Sequence, residues 1–201
     1  MSERAGDGGD GGDGDEWPVE LRGVTETVTT TLGPNGRWNA AALGVHAGGP
    51  VTARTWGRTR TRRNFEREGE GYVQFVRDPV LFVEAALGVR EADDPVLDAA
   101  DAWTRVAVER RDAGESGGTE WVEWALVPRE SAVERRAVPT VNRGFNAVVE
   151  ATVAASRLDV PAYDAETLRE RLAHHEEVVA ACGGPREREA FARVSEFVDR
   201  R

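Results

Sequence analysis

The chain has no lysine and only one cysteine, Cys182, in its 201 residues. A single thiol excludes an internal disulfide framework and a cysteine-based zinc site, and Cys182 reads as a small core residue in a protein of a reducing cytoplasm. No apolar run approaches the ~20 residues needed to span a bilayer, and the N-terminus lacks the apolar centre of a signal peptide, so no membrane association is expected. Histidine is scarce too: His46 and the pair His174-His175. The pair has Glu170, Glu176 and Glu177 nearby but no H-E-x-x-H pattern, and it reads as part of a surface helix rather than a metal set. His46, near a strand end, reads as exposed. The chain also lacks a Ser/His/Asp or Cys/His arrangement, a Walker loop and a dinucleotide glycine fingerprint, so hydrolysis is unsupported.

What the chain does carry is acid: 36 Asp and Glu against 26 basic residues, a net charge of −10. In the first sixteen residues six carboxylates meet one arginine, a net −5. An acidic surface without lysine reads as adaptation to a salt-rich cytoplasm, where ionic strength screens self-repulsion. The plain alternative is a G+C-rich genome favouring arginine codons. Either way, the balance argues against nucleic-acid binding by the protein as a whole. Residues 1–16, with their Gly/Asp repeats, bury nothing and are expected to be a disordered acidic tail. They lack the twelfth-position Glu and flanking helices of a calcium loop.

Periodicity divides the remainder. Val24 to Leu32 is β-branched and alternating, Gly33 to Gly36 makes a turn, and Trp38 restarts an extended run, so a hairpin is expected. Strands around Val51 to Trp56 and Gly71 to Arg77 extend it toward a small barrel. Asp78-Pro79 starts a helix that Gly88 ends, and Asp94-Pro95 opens a shorter helical or irregular passage to Ala102. Trp103–Arg111 and Glu120–Val127 read as strands joined by a glycine-rich loop, Asp112 to Thr119, with Trp121 and Trp124 on opposite faces. Val133 to Val138 adds a last extended piece. Beyond Pro139 apolar residues recur at helical spacing in three segments, from Asn142, from Asp164 and after Gly183-Gly184-Pro185. The expected domains are therefore 17–139, a β-barrel, and 140–201, a helical subdomain.

The stretch from Arg37 to Phe65 carries the functional signal. Small residues at Asn39, Ala40 and Ala41 let a flat ligand lie against a strand, or let a helix pack closely. The run after Arg54 supplies hydroxyl, guanidinium and main-chain donors through Thr59, Arg60, Thr61 and Asn64, suited to a phosphate at a helix entry. A solvated arginine-rich turn offsetting the acidic surface, or an RNA contact with Trp56 and Phe65 stacking, would use the same residues. Gln74 suits either a ligand amide contact or packing at the core edge. Asn142-Arg143-Gly144 opens a helix where Arg143 either faces an anion or pairs with an acidic neighbour.

Asn39-Ala-Ala-Ala-Leu-Gly followed by Thr61-Arg-Arg-Asn64-Phe resembles the paired motifs of FMN-binding split-barrel flavoproteins, which are similar to flavin reductases. The segment Gln74-Phe-Val-Arg-Asp-Pro-Val-Leu-Phe82 and the later Arg143-Gly to Arg157-Leu158 resemble an archaeal family of unknown function on that fold. The resemblance implies a mainly β fold with α, an FMN-binding split β-barrel followed by a three-helix C-terminal subdomain. It implies FMN as cofactor, with its rings along Asn39, Ala40 and Ala41 and its phosphate at Thr61 and Asn64. Arg54, Thr59 and Arg60 are nearby candidates, and Gln74 and Arg143 are further ones. It further implies an oxidoreductase working by flavin-mediated hydride or electron transfer, and a homodimer with the flavin near the interface. The alternatives are a non-catalytic flavin or haem binding module, or a reductase using a deazaflavin or nicotinamide.

Overall fold

Alternating Val and Thr residues make β1 (Val24–Leu32), which turns through Gly33 to Gly36 into β2 (Trp38–His46). The turn closes with Gly36 at φ 76°, in the left-handed region that glycine tolerates. The two strands pair along their full length, from Val24 opposite His46 to Leu32 opposite Trp38. The computed structural model describes residues 16–201, so residues 1–15 of the expected tail lie outside the described residues.

After β2 come β3 (Thr52–Trp56), α1 (Arg60–Glu68), β4 (Glu70–Val76) and α2 (Pro79–Leu87). Next are β5 (Arg90–Ala92), β6 (Ala100–Ser116) and β7 (Thr119–Val133), and the chain ends in α3 (Arg143–Ser156), α4 (Ala165–Cys182) and α5 (Pro185–Asp199). The strands run in the order β1-β4-β6-β7-β3-β2, and β1 pairs with β2 to close a six-stranded antiparallel barrel. β5 is added outside, on β2. The interior is packed by Leu43, Val45, Val73, Val106, Val122, Trp124 and Leu126, with Trp17 and Leu21 set against it. Trp124 is buried inside, its indole donating to Thr55 Oγ1 at 2.9 Å, while Trp121 lies on the outer face beneath Arg54.

Three expectations need correcting. Cys182 is not a core residue, because it is the last residue of α4 and is exposed there. The glycine-rich loop over Asp112 to Thr119 is not a loop, because β6 and β7 continue to Ser116 and Thr119 and leave a two-residue turn, Gly117-Gly118. Both glycines have positive φ, 56° and 76°, which fits the backbone twist of a tight hairpin. The extended piece over Val133 to Val138 ends at Val133.

Asp78 caps α2 by accepting from the Val80 and Leu81 amides. The helix is buried nearly all round, as expected of one held between two layers. Leu81, Phe82 and Ala85 press on Val28 and Ala40 of the barrel wall. Val80 and Val83 join the core that α3, α4 and α5 form through Val148, Ala151, Leu168, Leu172, Phe191 and Val194. Among the described residues no helix is long and apolar enough to cross a membrane.

Candidate functional site: a cleft on an open strand edge

One edge of β2 pairs continuously with β1, but its other edge is shared. Trp38, Asn39 and Ala40 pair with β5, and Val45 and His46 pair with β3. Between them Ala41 to Gly44 have no strand partner on that side among the described residues. Backbone N–H and C=O groups need partners wherever water is excluded, so this open stretch is a ready recognition edge for a polar, planar ligand.

A cleft of about 410 Å³ lies along it, within the range of ~300–1,000 Å³ typical of small-molecule sites. Its floor is Asn39, Ala40, Ala41, Ala42 and Leu43, with Ala85, Ala86, Gly88 and Val89 at the end of α2 forming one wall. The opposite wall is the corner from β3 into α1, with Arg54, Thr55, Trp56, Thr59, Arg60 and Thr61. Trp56 and Val89 remain 47% and 70% exposed at the mouth.

Thr59 caps α1, its side chain accepting from the Arg62 amide at 3.2 Å, and the Arg63 amide bonds the Thr59 carbonyl. The amides of Arg60 and Thr61, in the first turn, have no acceptor within the helix, and the helix dipole favours an anion there. Among the described residues Arg54 and Arg60 are the only charged ones lining the cleft, and each is held from outside it by a carboxylate. Arg54 Nε donates to Glu123 at 3.0 Å and its guanidinium lies 4.4 Å above the Trp121 ring. Arg60 donates to Glu91 at 2.7 Å. Among the described residues no Asp, Glu, His, Cys or Tyr lines this cleft. A neighbouring cleft of about 520 Å³ is lined by six carboxylates against three arginines, an unsuitable setting for an anion.

The structure brings together seven of the ten expected site residues: Asn39, Ala40, Ala41, Arg54, Thr59, Arg60 and Thr61. It directs the other three elsewhere. Asn64 is buried and clamps α1 onto β1, its Nδ2 donating to Thr31 Oγ1 at 2.9 Å and its Oδ1 accepting from Arg67. Gln74 is fully buried with its amide committed, donating to Thr30 Oγ1 and the Pro95 carbonyl, both at 2.9 Å, and accepting from the Leu97 amide at 2.7 Å. Arg143 is exposed at the start of α3, where Gly144 abuts Gly183, and it does not line the cleft. Sequence reasoning missed the α2 wall, because Ala85 and Ala86 carry no mark distinguishing a lining helix from a buried one. It also missed Glu91 and Glu123, whose roles depend on pairings between distant strands.

The chain matches two adjoining sequence profiles. Residues 25–135 fit the one described as "Protein of unknown function (DUF447) N-terminal domain", and residues 142–196 fit "Protein of unknown function (DUF447)". It belongs to the DUF447 family. The crystal structure of an FMN-bound DUF447 protein, MM1853 from Methanosarcina mazei, is 28% identical, with a TM-score of 0.75 over 88% of this chain and 96% of that one. The expected split barrel with C-terminal helices is thus the DUF447 fold. Fainter likeness extends to the styrene monooxygenase flavin reductase of Pseudomonas putida S12, at 14% identity and TM-score 0.40 over 55% of this chain and 79% of that one. A nitrilotriacetate monooxygenase component B homologue from Mycobacterium thermoresistibile shares 19% identity, with TM-score 0.42 over 58% and 72%.

Proposed function

We propose that this DUF447 protein is a flavoprotein that holds FMN in the β2 cleft. The observation that carries the reading is that the open edge of β2, at Ala41 to Leu43, lines one cleft together with Arg60 and Thr61 of the first turn of α1. A flat heteroaromatic with polar edges suits the first and a phosphate dianion the second. The FMN-bound state of the Methanosarcina mazei relative supports the assignment.

In this reading Asn39 to Leu43 bear the rings, small side chains admitting them and main-chain groups meeting their polar edge. Thr59, Arg60, Thr61 and Arg54 receive the phosphate, and the α2 alanines exclude water from the apolar side. FMN, when bound, supplies hydride or electron transfer, and the protein contributes anchoring and orientation. In this reading the oxidoreductase chemistry resides in the cofactor. The exposed Trp56 and Val89 at the mouth favour a homodimer in which a second copy covers the opening. Trp56, rather than Trp121, which Arg54 covers, is then the interface anchor.

Titrating cofactor-free protein with FMN and with riboflavin tests the site. Quenched flavin fluorescence is expected, with FMN bound at least about tenfold more tightly because its phosphate adds charge-assisted hydrogen bonds. Absence of binding, or equal affinity for the two, overturns the assignment. Bleaching of the bound flavin by reduced nicotinamide would then establish reductase activity.

A further inference from the structure

We propose that Glu91, which lies outside the cleft, is a positioning residue that aims Arg60 at the anionic end of the ligand. The inference rests on the FMN reading above. Glu91 sits on β5 directly opposite Asn39 in the β2–β5 register, so the strand that pairs with the cleft floor also carries this carboxylate. Its Oε1 accepts from Arg60 Nη1 at 2.7 Å. On its other side it faces Arg37 Nε at 3.8 Å and Asn35 Nδ2 at 3.3 Å. The Arg60–Glu91 pair therefore spans from the first turn of α1, at the cleft, to β5 outside it.

A guanidinium has five N–H donors in a rigid fork. Glu91 takes one short bond and leaves the remaining donors for an incoming oxyanion. It also shares its charge with Arg37, so Arg60 is fixed in direction without being fully neutralised. An arginine already held loses less freedom when it grips a ligand than one sweeping through solvent. Arg54 is held in the same manner by Glu123 and Trp121, but only Glu91 ties its arginine to the strand that pairs with the floor.

The test compares FMN with riboflavin, which lacks the phosphate, by fluorescence titration of the full-length cofactor-free protein. Glu91→Ala is expected to lower the ratio of FMN to riboflavin affinity by about tenfold, while riboflavin binding stays at the wild-type value. Glu91→Gln keeps the shape and one acceptor, and is expected to fall between. An unchanged or increased ratio in Glu91→Ala overturns the proposal. Parallel weakening of both ligands also overturns it, since that marks a merely structural role for β5. If the wild-type protein shows no preference for FMN, the reading of the cleft itself fails. If the preference is present and survives Glu91→Ala, only the assignment of Glu91 fails.

Discussion

Thr61 and Asn64 were paired by motif, but their side chains serve different purposes. Thr61 lines the cleft, whereas Asn64, one turn further along α1, binds Thr31 on β1. Asn64→Ala is therefore expected to cost about 1–3 kcal/mol of stability, because it strands buried partners. Thr61→Ala should cost less and chiefly weaken FMN, and urea unfolding beside flavin titration separates the two. The position of Thr59 to Thr61 was legible because a threonine before a polar run signals a helix entry. The commitments of Asn64 and Gln74 were not, since an amide looks the same in sequence whether it faces a ligand or a loop. Charge at single residues adds a pH effect. The Arg77 guanidinium, hydrogen-bonded to both Asp101 oxygens, holds that carboxyl below its usual range. A carboxylate lowered on folding stabilises the fold above its unfolded value, about pH 3.9, and the contribution is lost as pH falls through the lowered value. Asp101→Asn is expected to cost up to about 1 kcal/mol near pH 7, with the difference vanishing in strong acid, as denaturant midpoints across pH would show.

Among the elements, the long β6–β7 hairpin was the least legible. Its outer half, Glu109 to Ser116, is charged and largely exposed, so burial periodicity is absent where strand pairing alone keeps the backbone extended. The β4 ladder stops at Ala107, beyond which the outer edge of β6 carries charges and a register shift between Arg110 and Asp112, features that discourage edge-to-edge association. By contrast the helices were readable, because Asp78-Pro79, Asn142, Asp164 and Gly184-Pro185 all mark their starts. The hairpin tip offers a paired test. A Cβ on Gly118 would meet nothing within 4 Å, whereas one on Gly117 would come within 2.6 Å of the Ala162 methyl group. Gly118→Ala is expected to cost about 1–2 kcal/mol from positive φ alone, and Gly117→Ala more, measured by thermal unfolding. Equal losses would mean that the Ala162 contact contributes nothing.

For the whole molecule, the net charge of −10 is the dominant long-range term. We propose that it suits the protein to concentrated salt, where repulsion between like charges is screened over a few ångströms. The unfolding midpoint is expected to rise from dilute buffer to molar KCl, and equal midpoints would leave genomic composition as the explanation for the absent lysines. Barrel and helices were each legible from periodicity, but their joint was not: α2 binds the two layers by being apolar on every side but that of Glu84, which no single-face pattern announces.

The divided edge of β2 has a dynamic consequence. Along Ala41 to Gly44, alternate residues direct both their N–H and C=O groups toward β1 or away from it, so the outward ones depend on whatever occupies the gap. Deuterium uptake at those amides should be fast in the empty protein and slow sharply when FMN is added, while their inward neighbours stay protected throughout. A molecule that completes this wall of the barrel would behave less like a guest than like a missing length of strand.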